Sequence, residues 1–259
     1  QGTLNLLQGE LELVGTGQQS IAGSYFYQHT IHHLIISNNS SAGVEVAATP
    51  GDTLKISRKL SFGYDDAVLA TGNNITLLSS DTATANLGII KENPDGTPRV
   101  SIIGQMVVER YYPRKRAWRL ITAPVKPDAE TPSINAAWQE GANPPSVTGI
   151  NNPDPHPGYG THITGPFAAV TGYSPLVTSS GFDQSPQNNS SMKYFESITN
   201  SYKPVTNTFT TKVTDKQGYL MFVRGDRSYD IGSTTNIMSP APTVLRTMGN
   251  VNTGVKYIP

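Results

Sequence analysis

The sequence has no cysteine. Disulfide staples and thiolate metal sites are therefore excluded. Charge is scarce: 15% of the 259 residues are Asp, Glu, Lys or Arg, against roughly 25% in an average soluble domain. The 19 basic and 19 acidic residues cancel. Without a basic block, the chain lacks the Lys/Arg excess that displaces counterions from nucleic acid or an anionic membrane. Neither is an expected partner. Long apolar runs are missing as well. The longest candidate, Ile102–Val108, is broken by Gly104 and Gln105 and falls short of the roughly 18 residues of a spanning helix. No charged-then-apolar leader pattern follows Gln1. The chain therefore reads as processed or excerpted, and Gly254–Pro259 reads as a strand cut off in progress.

Turn-forming residues are abundant. There are 24 Gly, 19 Pro, 23 Ser, 28 Thr and 18 Asn. These are poor interior helix formers, so a helical bundle is excluded and an all-β chain is expected. Across residues 1–110, short aliphatic runs alternate with small polar turns. Leu54, Ile56, Leu60 and Phe62 alternate with polar residues, as a half-buried strand requires. Gly15-Thr16-Gly17, Ser37-Asn38-Asn39-Ser40, Pro50-Gly51-Asp52 and Thr71-Gly72-Asn73-Asn74 have turn chemistry. Similar cells recur at Thr3, Thr53 and Ile75 (TLNLL, TLKIS, ITLLS). An antiparallel sandwich would give the same alternation; the recurring cells favour coils of a parallel β-solenoid.

Arg99–Tyr112 reads as one long strand, ended by the basic turn Pro113–Arg116. The expected division is a β-solenoid-like (parallel β-helix) region over 1–110 and a β-sandwich or jelly-roll-like domain over 111–259. The latter has long loops such as Gly141–Gly158, and its end is expected to continue past residue 259. Its expected strands are Trp118–Ala123, Met192–Ser197, Phe209–Val213 and Gly218–Arg224. Its one short helix is Ser133–Glu140, capped by Ser133, with Ile134, Ala137 and Trp138 on the apolar face. Trp138, Tyr159, Phe167 and Phe182 would pack the long loops.

Several ordered blocks carry a resemblance. Glu109–Val125 (ERYYPRKRAWRLITAPV) is followed by Ile134–Gly141 (INAAWQEG), Gly158–Gly165 (GYGTHITG), Gly181–Asp183 (GFD) and Gly218–Arg227 (GYLMFVRGDR), with Thr84–Gly88 (TANLG) upstream. Over about residues 80–259 the chain resembles large Bacteroidetes cell-surface proteins that are cargo of type IX secretion. The sorting domain that such proteins commonly carry is absent from these residues. The resemblance implies an extracellular, surface-attached, non-enzymatic structural or adhesive module. Its implied partners are the secretion machinery during export and, at the surface, glycans or other cell-surface proteins. A carbohydrate-binding module, or an accessory domain of a secreted hydrolase, is the alternative. Such bacteria O-glycosylate Asp-(Ser/Thr)-apolar triplets, so Thr53 (Asp52-Thr53-Leu54) and Thr82 (Asp81-Thr82-Ala83) become modification candidates.

The remaining motifs are weaker. Trp118, Trp138, Tyr159 and His162 could form a sugar platform, because aromatic faces stack on pyranose rings; burial in the core is the competing reading. His29, His32 and His33 suggest a metal, but His32 and His33 would point to opposite faces of a strand, and no metal site is expected. No cofactor is expected either, beyond a loop-bound calcium ion near Asp65-Asp66 or Asp154, for which the regular oxygen spacing is absent. Arg224-Gly225-Asp226 spells an integrin tripeptide. It directly follows a strand, so Gly225 is expected to make a turn and Asp226 to pair with Arg224 or Arg227. The Asn-x-Ser/Thr sequons at Asn38, Asn39, Asn74, Asn188 and Asn189 read as turns. Nucleophile elbows, H-E-x-x-H and phosphate-binding glycine loops are missing, so an enzyme is not expected.

Overall fold

The computed structural model describes residues 2–143, 152–167, 175–185, 189–231 and 241–253. The suspected terminal strand 254–259, the sequon at Asn188 and the middle of the 141–158 loop lie outside them. The chain divides into two compact units: Gln1–Arg110 with Met248–Pro259, and Tyr111–Thr247.

The first unit is a β-solenoid of about three turns. Its strands are β1 (Leu4–Gly15), β2 (Gln19–Ile21), β3 (Phe26–Asn38), β4 (Val44–Val46), β5 (Leu54–Phe62), β6 (Val68–Ala70), β7 (Ile75–Leu77), β8 (Asn86–Leu87), β9 (Ser101–Ile103) and β10 (Met106–Tyr112). One sheet has the order β1-β3-β5-β7-β10, with β8 beside β5. The other has the order β2-β4-β6-β9. The solenoid pairs are parallel. The chain thus visits one sheet, turns, visits the other, and returns one coil higher.

Parallel pairing puts like above like. Leu11, Leu34, Leu60 and Leu87 are successive register partners. Leu6, Ile31, Ile56, Leu77 and Val108 form a second row. On the other sheet Val44, Leu69 and Ile102 form a third. All belong to one hydrophobic core, and Ile31, Leu34, Ile56 and Leu60 have no exposed surface. Each such burial contributes about 1.5–3 kcal/mol.

The polar turns fasten one coil to another. Asn74 Nδ2 donates to the carbonyls of Ala47 (2.7 Å) and Asp52 (2.9 Å). Asn38 is fully buried and donates to Gly17 O and Gln19 Oε1. Thr71 Oγ1 donates to Gln105 O at 2.8 Å. Gly43 and Gly72 take φ of 62° and 58°, and a Cβ on either would run into the carbonyl of Val68 or Val46. The expected single strand over 99–112 is instead β9 and β10. Gly104, at φ 94°, breaks it, and a Cβ there would meet Thr71 Oγ1 at 2.6 Å.

The second unit holds β11 (Ala117–Ile121), α1 (Ile134–Trp138), α2 (Pro175–Ser179), β12 (Met192–Glu196), β13 (Ser201–Pro204), β14 (Tyr219–Val223) and most of β15 (Thr243–Gly249). An antiparallel sheet has the order β11-β14-β12-β13. A sandwich needs an opposing sheet. Among the described residues, the inner face of this sheet is instead covered by α1, α2, Leu245 of β15 and loop residues Val125, Ile163, Phe182, Val205 and Val213. Phe209–Val213 is not a strand: Asn207 Oδ1 accepts from Thr210 N and Asp215 Oδ2 from Lys212 N, which turns the backbone twice.

Leu34→Ala should lower the unfolding free energy by about 2–5 kcal/mol, and Asn74→Ala by about 1–3 kcal/mol through orphaned carbonyls. Val14→Ala, at a position 60% exposed, should stay within about 0.5 kcal/mol. Urea midpoints of the purified protein check all three.

Candidate functional site

The motif blocks of the second unit converge on one buried carboxylate. Ser133 Oγ accepts from Ala136 N and starts α1, which ends at Trp138. That indole lies edge-on to Tyr219 and donates to Thr247 Oγ1 at 3.1 Å. The next residue, Gln139, donates through Nε2 to Asp183 Oδ2 at 2.9 Å. Gly158–Gly165 delivers the backbone N–H of Ile163 to the same oxygen at 2.9 Å. The strand β14 leads into Gly225 (φ 98°) and then Arg227. Arg227 grips Asp183 with both terminal nitrogens, at 2.9 and 2.6 Å. Its remaining donors reach Pro153 O and Thr161 O.

Asp183 and Arg227 are each 1% exposed. Burial alone would push the Asp183 carboxyl up. The Arg227 guanidinium and His162 outweigh it and hold the group well below the usual carboxylate range. His162 Nδ1 is 3.5 Å from Asp183 Oδ1, at ion-pair distance but without hydrogen-bond geometry. Its Nε2 contacts Tyr229 O at 3.0 Å.

A second ion pair flanks the first. Glu140, at φ 58°, accepts from Arg246 Nε at 2.9 Å and lies 3.2 Å from His156 Nδ1. Arg246 covers the Tyr159 ring at 4.2 Å. Asp154 is pushed up, first by burial and then by the charge of Asp226. Chemically, a His162–Asp183 dyad has the composition of an acid–base pair. The imidazole, however, has no exposed surface.

The sugar-platform residues are not brought onto one surface. Trp138 and His162 are buried, which removes their faces from solvent. Tyr159 is half-buried under Arg246. Trp118 is 45% exposed and lies across from Phe222 on the opposite side of the sheet from Tyr219, the residue that Trp138 packs against. The glycosylation candidates differ. Thr53 is half-buried, and its hydroxyl donates to Asn74 Oδ1 at 3.0 Å. Thr82 is exposed in a turn closed by Ser80 and Ala83.

The histidine cluster is spread over separate partners: His29 beside Asp52, His32 on Ser57, and His33 between Glu10 and Ser61. Among the described residues, no group of three or more His, Cys, Asp or Glu is placed to hold a metal. Asp65, a calcium candidate, is held by Lys91 and Arg99, which lower its pKa. The expected pairing of Asp226 with Arg224 or Arg227 is corrected. Asp226 is buried and accepts from Ser228 N and Oγ, while Arg227 goes to Asp183. The tripeptide is therefore not at an exposed loop tip. The Arg227–Asp183 pair was missed from sequence. Its only linear signal is that both residues end motif blocks, Gly181–Asp183 and Gly218–Arg227.

No family model, curated protein or solved structure matches the chain.

Asp183→Asn leaves the Arg227 charge buried without its counterion. It should cost about 3–5 kcal/mol at pH 7. Because the folded carboxylate holds its proton less readily than the unfolded one, this contribution is complete above about pH 4 and declines as pH falls below it. Denaturant titrations from pH 7 to pH 3 should show the difference between wild type and variant narrowing only at the acid end.

Proposed function

We propose that the chain is a non-enzymatic structural or adhesive module of an exported bacterial cell-surface protein, carried by type IX secretion. The observation that carries this reading is the sealed state of the cluster onto which the motif blocks converge. His162, Asp183 and Arg227 are consumed in joining four segments, with side chains at most 2% exposed. The blocks behind the family resemblance serve packing: Trp138 in a core, Gly225 in a turn, Arg227 in an ion pair. The solenoid adds a cross-link-free scaffold in which stability scales with stacked coils. This suits a surface protein built from repeated β modules.

The test is turnover. Purified protein incubated with polysaccharide and peptide panels should release no product; reproducible turnover that tracks the protein through purification would overturn the reading.

Of the two modification candidates, Thr82 has the accessible hydroxyl. Protein exported from a Bacteroidetes host should carry a glycan that Thr82→Ala removes and Thr53→Ala leaves in place, as read by intact mass. An unmodified wild-type mass would refute this assignment.

A further inference from the structure

The outer face of the sheet β11-β14-β12-β13 exposes more apolar surface than a solvated sheet needs. Register and alternation put Trp118 opposite Phe222, and Phe195 opposite Tyr202, all on this face. Trp118 is 45% exposed, Leu120 79%, Phe195 52% and Tyr202 49%. The rings form one tilted pair, Trp118 with Phe222, and one edge-on pair, Phe195 with Tyr202, each 5.5 Å between centroids. Phe195 follows Lys193, the partner of Leu220, so the level of Phe195 lies four residues from that of Phe222. At about 3.4 Å per residue the two pairs are roughly 14 Å apart along the strands.

Charge on this face has one sign. Lys193 is the one Asp, Glu, Lys or Arg at an outward position of the four strands, and its Nζ lies 5.5 Å over the Trp118 ring. Arg224, just past β14, stands 5.0 Å over Phe222, but its guanidinium is buried and donates to His162 O and Thr164 Oγ1, so Lys193 is the cation that this face offers. The acid of the sheet, Glu196, alternates to the other side and pairs with Lys203 at 3.9 Å. A second copy docked face to face would bring cation toward cation. A partner with flat apolar faces and negative charge would satisfy both features.

We propose that this face binds an anionic polysaccharide, of the uronic-acid class, with pyranose rings stacked on Trp118 and Phe195 and a carboxylate near Lys193. Ring faces meet apolar sugar faces, and the Lys193 ammonium supplies a salt-screened attraction. The inference deepens the adhesive reading and rests on it. Turnover would sink that reading, whereas absence of both turnover and binding would sink this inference alone.

The experiment is affinity electrophoresis and calorimetry of the full chain with polygalacturonate, neutral dextran and polyglutamate. Polygalacturonate should bind, dextran and polyglutamate should not, and added salt should weaken the complex. Trp118→Ala and Phe195→Ala should each weaken it about tenfold, and Lys193→Gln several-fold, with unchanged urea midpoints. The proposal is overturned if polygalacturonate does not bind, if dextran or polyglutamate binds equally, if the variants bind like wild type, or if sedimentation shows a dimer that Leu120→Asp dissolves.

Discussion

In the solenoid, an inward residue must sit over an inward residue of the neighbouring coil. Leu34 lies between Leu11 and Leu60, and Ile56 between Ile31 and Leu77. A parallel ladder enforces this, because a slip of one residue would turn each buried row to the outside. The corners must then absorb every variation in coil length. Partners are 23 residues apart at Leu11 and Leu34, 25 at Val44 and Leu69, and 31 at Thr76 and Val107. The longer step is the excursion that contains β8. Within it β8 pairs with β5 and sets Leu87 over Leu60, so the leucine row continues. Side-chain amides at Asn38 and Asn74 hold the corners in place of the cross-links that a chain without cysteine cannot make.

The second unit meets the same need differently. Its loops are long and its sheet small, so its core cannot order the chain by hydrophobic burial alone. A buried ion pair adds direction. Desolvating Arg227 and Asp183 costs several kcal/mol, and only near-complete hydrogen bonding offsets it. The carboxylate accepts from Gln139, Ile163 and Arg227, and the guanidinium also reaches Pro153 and Thr161. Those contacts come from segments up to 90 residues apart, and each must arrive correctly for the pair to be tolerable. The cluster thus specifies one arrangement of the loops.

The sequence made local features legible and long-range ones obscure. Alternation at Leu54–Phe62 disclosed β5, and Ser133 with Ile134, Ala137 and Trp138 disclosed α1, because both signals lie within a few residues. The recurring cells disclosed the solenoid, since each coil repeats the environment of the last. The strand over 99–112 was drawn too long because Gly104 yields to a contact with Thr71, some 30 residues earlier. Phe209–Val213 has the composition of a strand, but Asn207 and Asp215 at its flanks capture its backbone. Proximity in sequence pairs Asp226 with Arg224 or Arg227. The true partner of Arg227, Asp183, is set by the approach of Gly181–Asp183 to β14, which linear spacing does not encode. The sugar candidates divide for a related reason: aromatic residues look alike in sequence whether they fill a core, as Trp138 does, or face water, as Trp118 does.

That last ambiguity is resolved by one sheet with two unlike faces. Inward, Tyr219 and Met221 pack on Trp138 and the loops that the ion pair fixes. Outward, Trp118, Phe195 and Tyr202 keep about half of their surface in water. Burying them against another element would gain several kcal/mol, and among the described residues no such element covers them. A core made rigid by Arg227 and Asp183 holds these rings in fixed register. Fixed rings lose little conformational entropy on contact with a flat ligand. The buried charge therefore acts on the outer face without touching it, by keeping the sheet from adapting and the aromatic pairs at constant spacing.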